Sequence, residues 1–475
     1  MKKLIVVFAV LCFCGVVSAQ GTGLDAVFYN SDSFINSEVA RIDGTVDFDE
    51  GSAALEPSFS PSGYSVIWSG LIEPVSSSDY IFYIQTHGKV QLHVNHQPLI
   101  DTFSQPLSGV TEASSDPTRP IRLEAGTKYA VEIKLIDDDP SESFMRFSWS
   151  SSSRAKQVVP QGSLYPDIGT GLRGFYYRYD DFTAPEVVRI DPAIDFDSSV
   201  QKLDEVLPDS GYSVRWKGRV RPDHEQTYRF YTYSGSPVKL YVNKSLVIDG
   251  SNVNTLTEQS GTLHMMAGEK YDIELEWIDD GTGIIELSWS TPDMAKEIIP
   301  TEKLYCELKL LVLSCNPRLQ SRGDMRLHEY ANSINDANNI NSREWYESEK
   351  HCRDMMQVLY ESSDGNLNYT IEQWEELQEF TMMTNGTRYN DISGDTLCWA
   401  DIYEDSVKAL GVKWYDYPDW ENKGAAFNYD YYINKYNLVD RVNNDEIDEV
   451  WLILPHMAKG GSGASESKIV GIDGS

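Results

Sequence analysis

The amino-acid sequence predicts a mainly β protein, with two tandem antiparallel β-sandwich or barrel domains followed by an α/β C-terminal region. Three observations predict this. A long stretch of the chain recurs about 140–148 residues later. The recurring blocks alternate apolar and polar residues with period two, the mark of half-buried antiparallel strands. After Cys306 the texture changes to a continuous apolar run followed by helical spacing.

The repeat is read from ordered blocks. "SGYSVIWSG" from Ser62 returns as "SGYSVRWKG" from Ser210, and "VQLHVNHQPLID" from Val90 as "VKLYVNKSLVID" from Val238. "AGTKYAVEIKLIDD" from Ala125 returns as "AGEKYDIELEWIDD" from Ala267, and "FSWSS" from Phe147 as "LSWST" from Leu287. Copies of this length are a tandem domain pair, because solenoid repeats run only about 20–50 residues. The domains are expected at 21–165 and 169–305. Tyr64, Val66 and Trp68, like Tyr212, Val214 and Trp216, form a core face, and Trp149 and Trp289 fill the core from a later strand. Asn95 and Asn243 fit hairpin turns that need positive φ.

The N-terminal "MKKLIVVFAVLCFCGVVSAQ" reads as a secretory signal peptide over residues 1–19. It has two lysines, an apolar run and a Val17-Ser18-Ala19 cleavage site. No later stretch is apolar enough to span a bilayer, so the expected location is secreted and extracellular. The formal charge of −33 argues against nucleic acid, whose phosphates are bound by Lys and Arg. Cys306, Cys315, Cys352 and Cys398 remain after cleavage and are disulfide candidates in an oxidising compartment. If 308–314 is a strand, Cys306 and Cys315 stand roughly 30 Å apart and cannot pair with each other. Asn243, Asn368 and Asn385 lie in glycosylation sequons.

The ordered set "GLRGFYY", "RIDPAIDFD", "YSVRWKGRVRP", "YRFYTYSGSPVKLYVNKSLVID", "AGEKYDIELEW" and "LSWST" resembles the PA-fourteen domain, the β module named after anthrax toxin protective antigen. The first copy follows the same order. The resemblance implies a β-barrel or sandwich found in glycosidases, adhesins, lectins and toxins, several of which bind carbohydrate, some through calcium. Calcium-binding lectin members carry two adjacent aspartates before the "VxLxV" strand. Here those positions hold His87-Gly88 and Gly235-Ser236. Calcium takes six to eight oxygen ligands, so losing both carboxylates weakens any such site. Asp137 and Asp138 in "IDDDP" (with Asp139), and Asp279 and Asp280 in "WIDDG", are the remaining candidate calcium ligands, with aspartate turn chemistry as the alternative. Tyr177, Tyr179, Tyr231 and Tyr233 are candidate sugar platforms, because aromatic faces pack on apolar sugar faces.

The last domain is expected over 306–455, incomplete in its sheet, with a flexible Gly/Ser-rich tail over 456–475. "LKLLVLSC" reads as a strand buried on both faces and "DEVWLIL" as a second. "REWYESEKHCRDMMQVLYESS", "TIEQWEELQEF" and "YDYYINKYNLVDRVNNDEI" read as helices. "EIDEVW" resembles an unnamed domain of secreted proteins that carry carbohydrate-binding modules. No catalytic constellation stands out. "GGSGA" at Ser462 departs from the nucleophile elbow at Ala464. His328, His351 and Cys352 lack zinc-ligand spacing.

These readings point to a secreted, non-catalytic protein that recognises extracellular or cell-surface glycans through its tandem β modules. The alternatives are an enzyme on polysaccharide or glycoprotein with a C-terminal catalyst, and a structural module that binds extracellular protein.

Overall fold

The structure is a computed structural model. It describes residues 21–51, 54–59, 63–104, 111–138, 143–198, 203–327, 329–330, 333, 348–363, 367–379, 429–444 and 446–453. The signal peptide, Asn385, Cys398, His328, Asp139 and the Gly/Ser tail lie outside the described residues. Two compact units are present.

The first unit holds residues up to 168 with 221–228 and 262–270. It is a sandwich of a seven-stranded and a six-stranded antiparallel sheet. Tyr64–Ile72 lies central in the larger sheet, between Leu24–Tyr29 and Tyr129–Asp137. Tyr64, Val66 and Trp68 are fully buried between the sheets with Phe82, Ile84, Phe147 and Trp149. Arg221 Nη1 donates to Asp25 Oδ1 at 2.8 Å within this unit. Burial, against the opposing pull of Arg221, raises the Asp25 pKa.

In the second unit the chain repeats the architecture with a seven-stranded sheet, Tyr212–Val220 taking the central place, and a five-stranded sheet. Trp216, Trp277 and Trp289 are all buried. The hairpin turns match expectation: Asn95 and His96 have φ of 50° and 60°, Asn243 and Lys244 of 45° and 63°. Positive φ at both central residues suits the right-handed twist of the flanking strands.

A buried carboxylate anchors the tryptophan on the central strand of each module. Trp68 Nε1 donates to Asp43 Oδ2 at 2.8 Å, and Trp216 Nε1 donates to Asp191 Oδ2 at 2.7 Å. Arg41 and Arg189 each place Nε 2.8 Å from the other carboxylate oxygen. The second module adds the Tyr176 hydroxyl as a further donor to Asp191, where the first has Phe28.

The outward faces of the large sheets differ. In the second module the central strand carries Arg215, Lys217 and Arg219, paired in register with Glu276, Glu274 and Asp272. The first module has Ile67, Ser69 and Leu71 at the matching places, opposite Lys134, Glu132 and Ala130.

The C-terminal sheet is three-stranded and parallel, in the order Asn368–Leu377, Glu307–Cys315, Glu449–Ile453. The central strand is buried on both faces, as its unbroken apolar run requires. Leu310 and Val312 meet Cys352 and Met356 of the Ser348–Ser362 helix. Leu311 and Leu313 meet Tyr432 and Leu438 on the other side. The expected helix over 429–447 is two short ones, Tyr429–Lys435 and Leu438–Asn443, broken at Asn437 with φ 49°.

Two expectations are corrected. Residues 370–380 were expected as helix, but Asn368–Leu377 is an edge strand. Its register slips at Glu372, so Ile371 pairs with Leu310 and Gln373 with Leu311. The bulge turns Ile371 and Trp374 to the same side, onto Leu310 and Val312, and so gives a strand a helix-like i,i+3 spacing. The disulfide candidates are also corrected: among the described residues, Cys306, Cys315 and Cys352 are buried and form no disulfide with one another. They sit before the central strand, at its far end and on the helix beneath it. Buried cysteine acts there as a small apolar residue.

Candidate functional site

The candidate calcium positions of each module lie close together at one loop end. Gly88 has no room for a carboxylate, because a Cβ there would lie 2.2 Å from the Ile136 carbonyl oxygen. In the second module Ser236 is fully buried. Its Oγ donates to Asp280 Oδ1 at 2.5 Å and lies 2.7 Å from Thr282 Oγ1.

Asp137 is buried and accepts from the Tyr64 hydroxyl at 2.7 Å and from Ser143 Oγ at 3.0 Å. Asp138 pairs with Lys89 at 2.7 Å. Asp279 accepts from the backbone N–H groups of Gly281 and Gly283 at 3.1 and 2.8 Å. Burial and these aspartate charges push the Tyr64 and Tyr212 phenols above the ordinary tyrosine value. Among the described residues, no group of three or more His, Cys, Asp or Glu is placed to hold a metal ion.

The four candidate tyrosines part company. Tyr177 is 3% exposed and packs edge-on against Phe182. Tyr179 is 62% exposed on a loop pinned by Ser213 Oγ, which donates to its carbonyl at 2.7 Å. Tyr231 and Tyr233 are half-buried on the outer face of the smaller sheet, paired in register with Ser288 and Glu286.

Tyr231 belongs to a group present in both modules. Its hydroxyl lies 3.0 Å from Ser290 Oγ, Lys296 Nζ sits 4.8 Å from its ring centroid, and Lys296 pairs with Glu258. In the first module the Tyr83 hydroxyl lies 3.0 Å from Ser150 Oγ, Lys156 Nζ sits 4.6 Å from the ring, and Lys156 pairs with Glu112. Such a group offers an aromatic edge, a hydroxyl, an ammonium and a carboxylate within one patch. Sequence reasoning named Tyr231 and missed Tyr83, although the repeat offset leads directly from one to the other. Of the sequons, Asn243 is exposed at its turn and Asn368 opens a strand half-buried.

Several known proteins are similar to this chain. The anti-sigma-I factor RsgI3 of Acetivibrio thermocellus is 32% identical over 301 residues, 62% of this chain and 46% of the relative. The protective antigen of Bacillus anthracis is 27% identical over 150 residues, 31% of this chain and 18% of the relative. The chain therefore spans less than half the length of either curated relative. A solved anti-sigma factor domain-containing protein is 32% identical, with 60% of this chain and 99% of that one covered, at a TM-score of 0.32. Among the described residues, no helix is long and apolar enough to cross a membrane. The PA14 domain model matches residues 20–163 and again 169–303, more than half of the sequence, and the chain belongs to the PA14 domain family.

Proposed function

We propose that the tandem modules recognise extracellular or cell-surface carbohydrate. The observation that carries this reading is the Tyr–Ser–Lys–Glu patch, set on the outer face of the smaller sheet at equivalent places in both modules. A ring edge with adjacent donors and acceptors suits a polyhydroxylated ligand. Two copies of a weak site raise avidity on a polymer without any new contact. Family membership supports the reading, since PA14 modules include carbohydrate binders. The relative that aligns over 301 residues is by name an anti-sigma factor, a regulator, and recognition of glycan without turnover suits such a setting. The proposed role is a glycan-sensing module exposed outside the cell.

A polysaccharide array probed with the full chain, with and without chelator, tests this. Binding to at least one glycan is expected, weakened at least tenfold when Tyr83→Ala and Tyr231→Ala are combined. Binding is expected to survive the chelator, because Gly88 and Ser236 stand where calcium-binding members carry carboxylates. Failure to bind any glycan sinks the reading.

A further inference from the structure

Within the second unit, the charged face of the second module and the C-terminal domain enclose a cleft of about 340 Å³. That volume falls in the range of small-molecule sites, roughly 300–1,000 Å³. Its floor is a rung that crosses four strands. Arg173 pairs in register with Lys217, Lys217 with Glu274, and Glu274 with Tyr241. Phe175 lies on one side of the rung, and Arg219 and Asp272 on the other. The roof is the start of the central C-terminal strand, at Glu307 and Lys309, with Asn443, Asn444 and Asp448.

The cleft is balanced in formal charge: Arg173, Lys217, Arg219, Lys244 and Lys309 face Asp272, Glu274, Glu276, Glu307 and Asp448, and several of them are paired. Arg219 pairs with Asp272 at 3.2 Å, Glu307 at 3.0 Å and also Glu372. Lys309 Nζ lies 2.7 Å from Asp272, and Lys217 pairs with Glu274 at 3.6 Å. Lys244 Nζ donates to the Asn444 carbonyl at 3.0 Å, and Asp448 accepts from the Lys309 backbone N–H at 2.7 Å. An ionic ligand would upset this balance or displace one of the pairs and leave its partner desolvated, which is costly. A neutral ligand rich in hydroxyls needs no displacement. Each hydroxyl donates to a carboxylate and accepts from a neighbouring N–H, while Phe175 and Tyr241 offer ring surface.

We infer that this cleft is a second saccharide site, for a neutral sugar unit held jointly by the second module and the C-terminal domain. The inference rests on the glycan-binding reading but uses residues other than those of the tyrosine patches. The matching face of the first module, with Ile67, Ser69 and Leu71, cannot supply it.

Saturation-transfer NMR on the full chain tests it. The probes are cellobiose, xylobiose and lactose, with digalacturonate as the anionic comparison. At least one neutral disaccharide is expected to bind. Its affinity should fall at least tenfold in Tyr241→Ala and in Lys217→Met. Lys244→Ala, on an exposed turn, gives a second cleft variant that leaves the sheet intact. Cleft variants that bind like the parent overturn the inference and leave the glycan reading standing. A preference for digalacturonate overturns the neutral assignment. Absence of binding by the parent chain to these disaccharides and to the polysaccharide array ends both.

Discussion

Asp191→Ala measures how much one buried carboxylate contributes to the second module. The substitution strands two buried donors, Trp216 Nε1 and the Tyr176 hydroxyl. An unsatisfied buried donor costs about 1–3 kcal/mol. The Arg189 pair adds at most about 1 kcal/mol, since Arg189 is a third exposed. The sum is roughly 4 kcal/mol, against a usual domain stability of about 5–15 kcal/mol. For a module of this size that lowers the melting point by roughly 12–20 °C. Asp43→Ala in the first module should cost less by one donor, about 1–3 kcal/mol, because Phe28 replaces Tyr176. Scanning calorimetry of the full chain, with tryptophan fluorescence to follow each module, reads both. In a Trp216→Phe background the Asp191→Ala cost should shrink by about 1–2 kcal/mol, the part owed to the stranded indole. A loss under about 1 kcal/mol for Asp191→Ala, or equal losses in the two modules, would refute the accounting of buried donors.

Two further predictions follow from burial. Burial pushes the Cys352 thiol up to about 12, so its thiolate is scarce at pH 8. Alkylation at Cys352, followed by peptide mass mapping, should be at least ~100-fold slower in the native chain than in urea, and a rate equal to the unfolded one would contradict the packing under Leu310 and Val312. Burial and then Asp195 raise the Glu286 carboxyl above its ordinary value. Its protonation therefore favours the folded state below the ordinary glutamate range, and that contribution is lost as pH rises through the folded-state value. Glu286→Gln should accordingly stabilise the module at pH 7 by roughly 0.5 kcal/mol or less. The gain should fade on acidification, and urea melts at pH 7 and pH 4 that showed the opposite trend would reverse the sign.

The tandem sandwich was legible because its determinants are local and duplicated. Alternation placed Trp68 and Trp216 in the core, and Asn95 and Asn243 marked their turns. The PA14 assignment followed from the order of the blocks. The Asn368–Leu377 strand was not legible, because the bulge at Glu372 gives a strand the spacing of a helix. The repeated "RID" that supplies Asp43 and Asp191 was visible as a motif, but its role depends on a tryptophan 25 residues further on. Tyr177 could not be told from Tyr179 by type, since the sandwich buries one and the loop exposes the other. The cleft lay beyond sequence reasoning altogether. Its lining runs from Arg173 to Asp448, and only the docking of the parallel sheet on the charged rung brings those residues together.

Duplication sets a problem of choice for the C-terminal strand. Adjacent similar domains in one chain can misassemble, each offering surfaces that belong to the other. Glu307 and Lys309 need countercharges at a fixed spacing, and Arg219 and Asp272 supply them. At the matching positions the first module presents Leu71 and Ala130. The divergence of one sheet face therefore acts as an address. Only the second module carries these countercharges, so the modules are not interchangeable neighbours for the last domain despite their common fold.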